Sequence, residues 1–89
     1  MSDTRYRRCP QAVWRATRFF LVAAVPPATP THVGGSAAAV WHALAHEGTL
    51  PELVGRVAAE VGAPADDIAA DVRALVHSLL PLGLVEVVA

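Results

Sequence analysis

Around the first tryptophan the side chains alternate. Val13, Arg15 and Thr17 fall on one side of the chain, and Ala12, Trp14 and Ala16 on the other. A period of two is that of a half-buried β-strand. The apolar run FFLVAAV at 19–25 predicts a second, more deeply buried strand. A turn near Thr17 and Arg18 closes the two into a hairpin. The stretch PPATP that follows has prolines with fixed φ and no N–H, so it can be neither helix nor inner strand and ends the hairpin. Residues 31–33, THV, leave room for one short third strand. Gly34 and Gly35 then form a hinge into a helix, with Ser36 as its N-cap.

From Ala37 onward the period lengthens. A first helix over 37–46 buries Val40, Trp41 and Leu44 and stops at Gly48. Thr49 and Glu52 make a T-x-x-E capping box with Pro51 in the first turn, so a second helix starts at Leu50. Its inner face is Leu53, Val54 and Val57, and Gly62 ends it. Pro64 opens the turn into a third helix, where Asp66 and Asp67 oppose the positive end of the helix dipole. Ile68, Val72, Leu75 and Leu79 recur at i, i+4, i+7 and i+11, an amphipathic stripe. Pro81 and Gly83 close it, leaving LVEVV as a terminal strand or extended tail. The expected fold is α+β and winged-helix-like. A three-stranded antiparallel sheet is followed by a three-helix bundle, whose second and third helices form a helix-turn-helix pair. Residues 1–9 read as a flexible basic arm, and 10–89 as one domain.

Composition narrows this picture. A chain of 89 residues is near the lower end of what folds on a hydrophobic core alone. Apolar residues make up 54%, but many are alanines that bury little area. The core must therefore rest on Trp14, Phe19, Phe20, Leu21, Val40, Trp41, Leu44, Leu53, Val57, Ile68, Val72, Leu75, Leu79 and Leu84. Cys9 is the single cysteine, which excludes an internal disulfide and suits a reducing cytoplasm. No signal peptide is evident, and FFLVAAV is too short to span a bilayer. Net charge is −1 but unevenly spread. Arg5, Arg7, Arg8, Arg15 and Arg18 stand against Asp3 alone, so the arm either touches anions or is a solvated tail.

Catalysis finds little support. G-x-S-x-G, P-loop and G-x-G-x-x-G motifs are missing from the sequence. Cys9 has arginine neighbours that could lower its pKa, but no histidine lies near it in sequence. His42 and His46 have the i, i+4 spacing of a helical metal pair, yet no third ligand follows at the right step. Neither metal nor cofactor is expected. A DNA-reading third helix would need cations or amides near its start. This one opens on Asp66 and Asp67, adds Asp71, and offers only Arg73, so phosphate contacts would be repelled.

Peptide binding remains. On a helical projection, Ile68, Val72, Leu75 and Leu79 face the core. One shoulder carries Ala69, Val76 and Leu80 with Arg73 at its margin, and the other carries Asp71, Ser78 and Ala74. The first is more apolar than a core stripe requires. It is either simply a wide buried face or one wall of a groove. If the 31–33 strand lies at a sheet edge, its free N–H and C=O groups can accept an extended peptide as a further strand. Alternate side chains of that peptide would rest on Ala69, Val76 and Leu80, and Arg73 would suit an acidic residue.

The segment AAAVWHALAHEGTLPELVGRVAAEVGAPADDIAADVRALVHSLLPLGLVE resembles the PqqD-like family, the recognition elements of ribosomally made, post-translationally modified peptides (RiPPs). The likeness spans residues 33–86. It rests on the AAVWHAL helix, the capped EGTLPELV start, the AADVRALVHSL third helix and the closing LGLVE. Members usually have an asparagine, often as Leu-Asn, before the first helix; here that position reads Val33-Gly34-Gly35. The resemblance implies a non-catalytic protein that binds a precursor's leader as an added strand, between the third strand and third helix. It would present that leader to a modifying enzyme such as a radical SAM protein or leader peptidase. Carried over by position, the contacts are Thr31, His32 and Val33 on the strand and Ala69, Val72, Arg73, Val76 and Leu80 on the helix. The alternatives are a winged-helix DNA-binding or regulatory domain and a structural subunit of a larger enzyme.

Overall fold

The computed structural model describes residues 4–16, 20–26, 31–34 and 37–88, with only the backbone described at 16, 20, 21 and 31–34. In chain order the elements are β1 (Arg5–Arg8), β2 (Val13–Ala16), β3 (Phe20–Ala24), β4 (Thr31–Gly34), α1 (Ala37–Ala43), β5 (Gly48–Thr49), α2 (Leu50–Val61), α3 (Ala65–Leu79) and β6 (Val85–Val88). The fold is α+β. The hairpin and third strand expected from the alternating pattern form one antiparallel sheet in the order β2-β3-β4. Its register sets Trp14 opposite Ala23 and His32 opposite Val22. The turn at Thr17 and Arg18, the core position Phe19 and the cap at Ser36 lie outside the described residues.

Residues 5–8, read from sequence as part of a flexible arm, are the middle strand of a second sheet in the order β5-β1-β6. The registers pair Tyr6 with Gly48 on one side and with Val87 on the other. RYRR carries little strand signal of its own, because the partners that order it are distant in sequence. Two of its three arginines pair with acids on β6 and α2. Arg7 Nε donates to Glu86 Oε1 at 2.7 Å, and Arg5 Nη1 to Glu52 Oε1 at 3.3 Å. The tail left open between strand and extended chain is therefore a strand, β6.

The capping box is present as read. Thr49 N donates to Glu52 Oε1 at 2.9 Å, and Glu52 N to Thr49 Oγ1 at 3.4 Å. Gly62 ends α2 at φ 71°, in the left-handed region that glycine adopts without a Cβ penalty, and donates to the Ala58 carbonyl. Those bonds hold Glu52 ionised below the usual carboxylate range. The backbone N–H of Thr49 contributes most, then the Thr49 side chain, with a smaller electrostatic contribution from Arg5. A depressed folded-state pKa adds stability above the unfolded value and loses it as pH falls through the folded one. The chain should therefore lose part of its stability below about pH 4. In thermal melts from pH 7 to pH 3, Glu52→Gln should start less stable and show a shallower acid decline; parallel curves would refute this.

The first helix is shorter than expected and ends at Ala43 rather than His46. No local glycine caps it. A distant arginine does so instead: Arg56 of α2 donates to the carbonyls of Ala43 at 3.0 Å, His46 at 2.8 Å and Glu47 at 3.3 Å. A Cβ built on Gly48 would stand 3.0 Å from that guanidinium, which explains a glycine there better than a helix stop does.

The core joins α1, α2, α3 and both sheets around Trp41, Leu44, Leu53, Val57, Val72, Leu79 and Leu84. Three expectations need correction. Trp14 is 42% exposed, Ile68 and Leu75 are only half-buried, and Val76, read as a shoulder residue, is fully buried. Tyr6 and Val85, missed by the sequence reading, are in the core through the β1–β6 pairing.

Candidate functional site

The strand carrying Thr31, His32 and Val33 pairs with β3, and its other edge pairs with none of the described residues. Beneath it lies α1, on which both β3 and β4 pack. An open edge offers alternate N–H and C=O groups to an extended chain.

The expected helical wall is rotated. On α3 the buried line runs through Val72, Val76 and Leu79. Val72 and Val76 thus belong to the core and present no surface to a ligand. Ala69 is half-buried, Arg73 is exposed and Leu80 is half-buried. Ala69 and Arg73 line a cleft of about 310 Å³ with Leu50, Pro51 and Val54 of α2 and Ala65 and Asp66 of α3. That flank of α3 therefore faces α2. At about 100° per residue, Ile68 and Leu75 fall on the opposite side of the buried line. Both are half-buried, and the exposed Asp71 and Ser78 sit at their margin. Ile68 and Leu75 thus form a second partly buried apolar flank, packed against the core on the side away from that cleft. Periodicity alone could not find it, since Ile68 and Leu75 fit the core stripe as well as Val76 does.

Electrostatics divide the surface sharply. Arg5 and Arg7 of β1 are engaged by Glu52 and Glu86. Exposed Asp66, Asp67 and Asp71 leave α3 acidic. The sulfur of half-buried Cys9 lies 3.3 Å from Gln11 Oε1.

A further group was invisible in the sequence. The Arg8 guanidinium carbon lies 4.8 Å from the ring centre of Trp14 and 4.9 Å from that of Trp41. The two indoles meet edge to face at 5.9 Å and 73°. Arg8 Nε donates to the Trp41 carbonyl at 2.9 Å, and Nη2 donates to the same oxygen. Burial pulls the Arg8 pKa down from its ordinary value, but an arginine remains charged at neutral pH. A hollow of about 500 Å³ lies beside Trp14, lined by hairpin residues 12–15 and 22–24.

Among the described residues no helix is long and apolar enough to cross a membrane, and no three His, Cys, Asp or Glu side chains gather as a metal site. Comparison with curated proteins and with solved structures gives no match. A family model does match, over residues 25–85. That span takes in β4, all three helices, β5 and the first residue of β6. The chain belongs to the PqqD family, described as Coenzyme PQQ synthesis protein D.

Proposed function

We propose that this protein is a non-catalytic adaptor of RiPP biosynthesis, of the kind that PQQ synthesis requires. It binds the leader region of a precursor peptide as an added strand on β4 and presents it to a modifying enzyme, a radical SAM protein, leader peptidase or similar. Family membership supports a role beside a precursor peptide and a partner enzyme. In the same reading, α2 and α3 are the helix-turn-helix pair of a winged-helix-like domain, and the protein works in the cytoplasm without a cofactor.

The observation that carries the reading is the edge of β4 that pairs with none of the described residues, in a domain whose α3 keeps a partly buried apolar flank on the side away from its cleft with α2. An extended leader would donate to and accept from the backbone at 31–33, and its alternate side chains would rest on Ile68 and Leu75. Ala69 and Leu80 are then peripheral, Val72 and Val76 stay buried behind the flank without touching the peptide, and Arg73 stands outside. Two buried side chains contribute about 1.5–3 kcal/mol each, and several backbone hydrogen bonds about 0.5–1.5 each. Ordering a disordered leader and the association itself offset much of that. Affinity should therefore be on the order of micromolar or somewhat tighter, weak enough for handover.

The test is an NMR titration with a synthetic peptide covering the leader of a precursor encoded beside this gene. The expected result is saturable shifts at 31–34 and along 68–78. Shifts confined to the cleft lined by Leu50, Val54 and Arg73 would move the site to the other flank. An unchanged spectrum at millimolar peptide would refute the reading. Acidic α3 opposes the DNA-binding alternative by repulsion from phosphates.

A further inference from the structure

We infer that Arg8 is a positioning residue: clasped between Trp14 and Trp41, it locks the β2–β3–β4 sheet onto α1 and so sets where the outer edge of β4 stands relative to α3. Among the described residues the two sheets share no strand ladder. The β2–β4 sheet instead meets the rest of the molecule through α1, on which β3 and β4 rest. That helix has seven residues, too few to be stable alone, so its geometry is imposed from outside.

Arg8 reaches it from β1, a strand anchored on both sides in the other sheet. Its hydrogen bonds go to the Trp41 carbonyl, in the last turn of α1, where the helix dipole favours a cation. One face of the clasp is the ring of fully buried Trp41, and the other is the ring of Trp14, the residue through which β2 joins. A single side chain thus ties β1, α1 and the hairpin together. Cation–π contacts with two indoles and a forked donor suit this task, and a lysine could supply only part of it. Trp14 sits on the partly exposed side, so the clasp can loosen without opening the core.

The consequence for peptide capture rests on the reading above; the lock itself is independent of it. The two tryptophans of the chain are both in the clasp, so fluorescence excited selectively at tryptophan, which leaves Tyr6 silent, reports on it. Arg8→Met is compared with Arg56→Met, which removes the other arginine holding the end of α1. Trp14→Leu, at an exposed strand position, serves as a second variant should Arg8→Met fold poorly.

Arg8→Met should raise amide exchange in β3 and β4 about tenfold relative to α2 and α3 and shift the emission to the red, with about tenfold weaker binding of the leader peptide. Arg56→Met should leave that exchange ratio and the affinity within about twofold, whatever its melting temperature. Arg8→Lys should recover part of the loss. Unchanged β3–β4 exchange in Arg8→Met and Trp14→Leu, or a rise equal in every element, would overturn the lock. If the wild-type protein binds no leader peptide, the proposed function fails, and the exchange arm still decides whether Arg8 positions the sheet.

Discussion

Trp41→Ala should cost the protein about 3–5 kcal/mol, the usual range for removing a large aromatic from a packed core. Trp41 is fully buried, belongs to the core cluster to which all three helices contribute, and forms one side of the Arg8–Trp14 clasp. Net stabilities of small domains are about 5–15 kcal/mol, so this one change removes much of the margin and lowers the melting temperature by more than about 10 °C. Trp41→Phe should be far milder, about 1–2 kcal/mol. The indole Nε1 is buried with no partner among the described residues, and deleting an unsatisfied donor removes a desolvation penalty that partly offsets the lost volume. Urea unfolding followed by circular dichroism separates the two. Equal losses for Ala and Phe would mean that the indole N–H makes a bond the core depends on.

Leu75→Glu should weaken leader-peptide binding by about 10–100-fold, the equivalent of one apolar side chain losing its burial. The helix should survive, because Leu75 is only half-buried and glutamate is a good helix former. Ile68→Glu should act in the same direction. Arg73→Ala, on the flank that faces α2, should change affinity by less than about threefold, as expected of an exposed charge. Calorimetric titration with each variant checks the order. Were Arg73→Ala to hurt more than Leu75→Glu, the peptide would run along the side of α3 that the sequence first suggested, and the rotation of the buried line would have no functional meaning.

That rotation illustrates how far periodicity reaches. Ile68, Val72, Leu75, Val76 and Leu79 cover a broad apolar arc, and a stripe drawn through Leu75 or through Val76 fits nearly as well. Which edge of the arc is sealed depends on where α2 crosses, and Leu50, Pro51 and Val54 supply that information from another element. Trp14 failed as a core residue for a related reason. Its alternation with Val13 and Arg15 identified a strand correctly, but a strand has two faces. The face it shares with Arg8 and Trp41 is only partly closed.

The interactions that are local in sequence could be read directly. The Thr49–Glu52 box, the left-handed Gly62, the length of α3 and the β2–β3 hairpin each depend on residues a few positions apart, whose propensities and hydrogen bonds act before any tertiary contact exists. What spans the chain could not. Strand β1 exists because β5 and β6 flank it, α1 ends where Arg56 donates to the Ala43 carbonyl, and Arg8 finds two indoles brought together from β2 and α1. A guanidinium has the same chemistry in any sequence. Its partner is chosen by which backbone happens to pass within 3 Å, and only the packed chain decides that.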